Sequence, residues 1–326
     1  MSRVEHLSIY KVEISTSEVK RVSKCISQID HASIVWKSYI VWLVVITTAV
    51  AHGSSETVTQ TASNEFEILR LFGAGFLGAL LVKLLDIGYQ VVRRGSDRRQ
   101  TARKFVDEHL DPVLKAADEL VGKLRSLAMD DFRSLRNLHT LQQRNRDLID
   151  VMYLVAKFWA SLELFRISGQ TVSPVRDRRG KQLVAFVDCL EWGQIRIVQR
   201  SSQRAVAELA LTQTEGRMEI IRYIDFVRRL EKDAELQEWF LPLERMLGRM
   251  EHTRERQRLL SYGIIVHAMI DTLDPNHSVS SDRKSYPEKL SNKTWEDLER
   301  RVFRVYLKFV KDPKKYIGPT KRRSRK

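Results

Sequence analysis

The residues whose spacing best suits chemistry are Gly73, Gly75 and Gly78, a G-x-G-x-x-G match. In a dinucleotide-binding unit such glycines let the backbone approach a pyrophosphate at a helix N-terminus. The neighbourhood can be read that way. Ile68–Phe72 would be a strand, Ala79–Ile87 a helix and Tyr89–Val92 the next strand, with Arg93 and Arg94 placed to meet a 2′-phosphate. Two observations oppose it. Arg70 would fall mid-strand in a buried parallel sheet, where near-continuous apolar residues are expected. The rest of the chain offers only Val184–Val187 and Ile195–Val198 as strand-like pieces, too few for a doubly wound sheet.

Other candidates are weaker. His267 and Asp271 stand four apart on a predicted helix, and such a pair can orient a base or a metal ligand. No HExxH accompanies it and its surroundings are apolar, so a satisfied core histidine is the simpler reading. His109 beside Asp111 reads as helix-start chemistry. There is no GxSxG, no Walker A and no metal-ligand spacing, and Cys25 and Cys189 are the only cysteines. The sequence therefore predicts no catalytic residues, no cofactor and no metal.

The glycines sit inside the second of two apolar runs. The first spans 33–51 and the second 68–86, each near the roughly 20 residues that a spanning helix needs. Trp36, Tyr39 and Trp42 stand where an aromatic belt would lie, and Lys83 with Asp86 reads as an interfacial pair. Between the runs, Glu56, Glu65 and Glu67 occur with no Lys or Arg, whereas Lys20, Arg21 and Lys24 precede the first run. Arg93, Arg94, Arg98, Arg99, Arg103 and Lys104 follow the second. The positive-inside rule then places both termini in the cytoplasm and the acidic loop outside. In that setting Gly73, Gly75 and Gly78 become a small-residue face for helix packing.

The formal net charge of +15 suits an anionic partner, and the shortage of Gly and Pro favours helices. Arg93, Arg94, Arg98, Arg99, Lys321, Arg322 and Arg323 are the expected contacts to an anionic surface. No RNA-recognition motif, zinc finger or basic zipper is present, so lipid headgroups are preferred to nucleic acid.

Segment 1–32 is expected to hold a short amphipathic helix with Val19, Val22, Ile26 and Ile29 on one face. Beyond the runs, Asp111-Pro112 reads as a helix start, with Val113, Leu114, Ala117, Leu120, Val121 and Leu124 as its buried stripe. Leu148–Ile167 reads as the central core helix and 168–182 as a basic loop. Further helices are expected over 183–191, 202–212, 216–230, 234–250 and 254–272, with Pro242 kinking or splitting the fourth. A Ser- and Pro-rich loop fills 275–290. A last helix starts at Thr294 and buries Trp295, Leu298, Val302, Val305 and Phe309.

Four stretches carry a resemblance: 107–127 from Asp107-Glu-His-Leu-Asp-Pro, 152–165 from Met152-Tyr-Leu-Val-Ala-Lys-Phe-Trp, 199–208 from Gln199-Arg-Ser-Ser-Gln-Arg, and 258–275 from Arg258-Leu-Leu-Ser-Tyr-Gly. Together they resemble a group of uncharacterised bacterial proteins in which a membrane helix precedes a helical cytoplasmic domain. The resemblance implies that the run before Arg93 is a membrane helix rather than a nucleotide site, and it implies no activity.

The expected architecture is all-α. A cytoplasmic segment, 1–32, precedes a two-helix transmembrane hairpin, 33–92. A cytoplasmic helical bundle domain, 93–312, and a basic tail, 313–326, follow. The expected protein is a multi-pass inner-membrane scaffold, sensor or interaction module, not an enzyme, and its expected partner is a bilayer with anionic headgroups. The alternatives are a two-span effector that homo-oligomerises through the glycine face and perturbs the membrane, and an NAD(P)-dependent oxidoreductase using Gly73–Gly78.

Overall fold

The computed structural model describes residues 63–136 and 141–319; the side chains of 63–81, Leu84, Arg136 and 141–145 are not described. The N-terminal segment, the first apolar run and the tail residues Lys321, Arg322 and Arg323 lie outside the described residues. The chain divides into two units, Met1–Lys83 and Leu84–Lys326, and the packing below is that of the second. The protein is predominantly helical. Among the described residues no helix is long and apolar enough to cross a membrane, so the expected hairpin is not part of the described structure.

The first helix, α1, is Ser63–Met129. It contains Pro112, where the sequence suggested a helix start. The buried stripe explains the continuity: Phe105, Val106 and Leu110 precede the proline and Val113, Leu114, Ala117, Leu120, Val121 and Leu124 follow it in one helical period. Pro112 itself is exposed, so water can serve the carbonyl that loses its donor. His109 is correspondingly mid-helix, its ring stacked on Phe105 at 4.4 Å.

A four-residue turn, α2 (Arg133–Arg136), leads to α3 (Leu141–Ser168). The segment expected as loop contains a 3-10 turn, Pro174–Arg176, and then α4 (Arg178–Glu191), capped by the Asp177 carboxylate on the amides of Arg179 and Gly180. Cys189, on α4, is fully buried, and burial followed by the nearby Asp188 charge pushes its thiol up to about 12.

The helix α5 (Arg200–Leu209) ends before a β-hairpin, β1 (Leu211–Thr214) and β2 (Arg217–Ile220), where the sequence suggested helices. The strands pair antiparallel from Leu211 opposite Ile220 to Thr214 opposite Arg217. Glu215 and Gly216 both have positive φ, 49° and 78°, as a two-residue turn matching strand twist requires. Then come α6 (Tyr223–Lys232) and α7 (Ala234–Leu247), which runs through an exposed Pro242 without a break.

The most enclosed element is α8 (Thr253–Leu273), in which every residue from Leu259 to Ile270 is buried. Such all-round burial marks a central helix. Trp159 of α3 donates its indole N–H to the Tyr262 hydroxyl of α8 at 2.8 Å. Gly263 lies where an added Cβ would stand 2.3 Å from the Tyr286 hydroxyl and 3.0 Å from Leu124 Cδ1.

The helix α9 (Asn292–Asp297) starts two residues earlier than expected, with the Ser291 side chain accepting from the Thr294 amide at 3.2 Å. It continues as π-helix over Leu298–Tyr306, where Leu307 N–H reaches Val302 O at 2.9 Å. The wider turn shifts the buried face. Phe303 and Leu307 are enclosed with Trp295, Leu298 and Val302, while Val305 is 57% exposed. A short α10 (Lys314–Ile317) closes the described chain.

Gly263→Ala is expected to lower unfolding free energy by about 1–3 kcal/mol through overpacking against Tyr286. A denaturant melt indistinguishable from wild type would show that this junction has slack.

Candidate functional site

A cavity of about 680 Å³ lies where three segments meet. One wall is the turn after α4, Trp192 to Ile195; the second is the first three turns of α8, with Thr253, Arg254, Gln257, Arg258 and Ser261; the third is α9 with its two flanking residues, presenting Ser291, Lys293, Thr294, Asp297 and Leu298. The Gln257 side chain ties two walls together. Its amide N–H donates to Lys289 O at 2.9 Å, and its carbonyl accepts from Ser291 N–H at 2.8 Å. Arg301 donates to Gln194 Oε1 and so ties α9 to the turn. The walls are thus fixed by side-chain hydrogen bonds, two of them to backbone, rather than by a sheet.

Charge in this cleft is lopsided. Arg254, Arg258 and Lys293 line it. The one lining carboxylate, Asp297, lies 3.4 Å from Arg301 Nε. Among the described residues neither Arg254, Arg258 nor Lys293 has an ion pair of its own. Burial, then the charges of Arg196 and Arg254, push the half-buried Arg258 guanidinium down, with Glu255 opposing. The N-cap of α8, His252, makes no side-chain cap hydrogen bond, so the helix start keeps unsatisfied amides. The arrangement can hold an anion; it presents no nucleophile with an adjacent base.

A second polar cluster sits at the other end of α8. Asp271 Oδ2 accepts from Lys315 Nζ at 2.6 Å and from the Tyr316 hydroxyl at 2.9 Å. Its Oδ1 lies 3.7 Å from His267 Nε2 and 3.9 Å from His277 Nε2, both too long for hydrogen bonds. His267 is buried, with the Arg283 backbone and the Asp271 carboxylate beside its ring. Burial holds its pKa below the ordinary 6.5, against the Asp271 charge. Asp274, next along, accepts from the amides of Ser278, Val279 and Ser280 and from two serine hydroxyls. These bonds outweigh burial and hold its carboxyl far below the usual range. Among the described residues no group of three or more His, Cys, Asp or Glu is arranged to hold a metal ion.

The residues singled out in the sequence fall elsewhere. Gly73, Gly75 and Gly78 all lie within α1. Ile68–Phe72, the strand a dinucleotide site would need, is helix, and the only sheet among the described residues is the two-stranded hairpin. On a helix, three-residue spacing puts Gly75 and Gly78 on one side, while Gly73 turns away from them. Arg93, Arg94, Arg98 and Arg99 are all exposed on α1. Arg93, Arg94, Arg98 and Arg99 do not line the cleft, whose lining cations are Arg254, Arg258 and Lys293. The four-residue spacing of Arg254 and Arg258 on α8 looks in sequence like an ordinary solvated face.

The chain matches no family model, no curated protein and no solved structure.

A buried neutral histidine costs stability in acid. The unfolded chain takes up a proton as pH falls through about 6.5, and the folded chain resists until a lower pH, so stability is lost on descending that window. His267→Leu should flatten the fall in Tm between about pH 7 and 5. Parallel profiles for the two proteins would remove His267 as the cause.

Proposed function

We propose that this protein is a membrane-anchored helical sensor or interaction module with no catalytic activity of its own. The observation that carries the reading is on α1. Leu85, Tyr89 and Val92 follow one side of the helix, Ile87 and Val91 another, and each of the five is between 47% and 69% exposed. A helix apolar on more than one side belongs in a core or a bilayer, not in water. Directly after it come the exposed Arg93, Arg94, Arg98 and Arg99. On an anionic inner leaflet each such residue contributes about 1 kcal/mol.

The spans are those read from sequence, 33–51 and 68–86, in an inner membrane with both termini cytoplasmic. The first lies outside the described residues, and of the second only Val82, Lys83, Leu85 and Asp86 have described side chains. The charge asymmetry around the acidic loop and the resemblance to the uncharacterised bacterial group support them. A second reading, the effector that assembles through small residues, draws on Gly75 and Gly78 sharing one helix side. It adds a homo-oligomer to the same anchoring.

The chain should stay in the membrane pellet through an alkaline carbonate wash. Its appearance in the supernatant would end the membrane reading. A synthetic peptide of residues 90–106 should leave vesicles rich in phosphatidylglycerol as salt is raised, and the same peptide with Arg93, Arg94, Arg98 and Arg99 replaced by Gln should leave at lower salt. Equal salt sensitivity would deprive these residues of that role.

A further inference from the structure

The cleft between α4, α8 and α9 has no place in the membrane reading, and its chemistry is specific enough to suggest an occupant. Three features point the same way. First, Arg254, Arg258 and Lys293 surround one space without ion pairs of their own, and Arg196 adds a further positive charge beside Arg258. Like charges crowded at a half-buried position are costly, and a multiply charged anion between them removes the cost. Guanidinium forks suit the oxygens of phosphate better than a single point charge does. Second, the uncapped start of α8, a 21-residue helix, opens on the same space. Its unsatisfied amides and dipole add to the attraction for phosphate. Third, the space is larger than a bare anion needs, at about 680 Å³, and Trp192 lines it. Tyr306 backs the indole at 5.2 Å, which fixes it as a wall. Aromatic walls hold planar rings by stacking.

We propose that this cleft binds a small phosphorylated molecule carrying a planar ring, a nucleotide, with its phosphate on Arg254, Arg258 and Lys293 and its ring against Trp192. Thr253 and Thr294 also line the cleft, which suits a ligand that is itself polar at its middle, as a sugar is. Gln257 ties two of the walls together through its two backbone bonds and is a positioning residue. The site does not depend on anchoring: it belongs wholly to the second unit. Failure of the membrane reading would leave it standing, and the reverse also holds.

The test is calorimetric titration of the full chain in neutral detergent with AMP, GMP, CMP, UMP, adenosine, inorganic phosphate and glycerol 3-phosphate. At least one nucleotide should bind about tenfold or more tightly than adenosine, inorganic phosphate or glycerol 3-phosphate. Arg258→Gln and Lys293→Gln should each weaken nucleotide binding about tenfold. Trp192→Leu should weaken nucleotide binding and leave inorganic phosphate binding unchanged. Arg258→Gln should melt, without ligand, no lower than wild type, because it relieves crowded charge; this separates lost binding from lost folding. The proposal is overturned if no nucleotide binds below about 1 mM. It is also overturned if phosphate or glycerol 3-phosphate binds as well as the nucleotides, which would assign the cleft to a bare anion or a lipid headgroup. Variants that bind like wild type would overturn it too.

Discussion

The burial of α8 on every side is the constraint on which the second unit depends. A 12-residue stretch from Leu259 to Ile270 has no solvent face, so each polar group on it must find a partner inside or stay unpaired. Tyr262 finds Trp159 on α3. Ser261 turns back onto Gln257 O at 2.7 Å. His267 has the Arg283 backbone and the Asp271 carboxylate beside its ring. The surrounding elements are arranged by this demand: Gly263 admits Tyr286 close to the helix, and α10 brings Lys315 and Tyr316 onto Asp271.

The same helix explains where function can sit. Its middle is sealed, so chemistry is confined to its ends. At the first turns, Arg254 and Arg258 face a cleft with unbalanced positive charge. At the last turn, Asp271 gathers a lysine, a tyrosine and two histidines. About 13 residues separate Arg258 from Asp271, on the order of 20 Å along a helix. The two ends differ in kind. The first is open and carries an excess of positive charge, whereas the second is enclosed and internally compensated by Lys315.

Helical period made much of this legible in the sequence. The buried stripe of α1, the apolar α3 and the limits of α8 all follow from apolar residues recurring every three or four positions. Three things escaped for separate physical reasons. Asp111-Pro112 has the chemistry of a helix start, but an exposed proline costs only about 3 kcal/mol, less than an uninterrupted buried stripe can supply. The hairpin at Leu211–Ile220 was signalled only by Glu215-Gly216, because its strands are four residues long and mostly exposed. The π-helix moved Val305 outward and Phe303 inward, a change that no 3.6-residue template contains. The cleft was illegible for a further reason. Its walls come from three distant segments, and isolated arginines on a helix carry no sign of sharing a cavity.

Burial of Cys189 has a practical consequence. The chain has two cysteines, and this one is sealed in the core with a thiol that stays protonated at neutral pH. The folded protein is therefore, for a maleimide, a chain with one addressable thiol at most, Cys25, which precedes the first apolar run. A membrane-impermeant reagent applied to intact and then to opened cells would read the sidedness of that residue without any engineered cysteine.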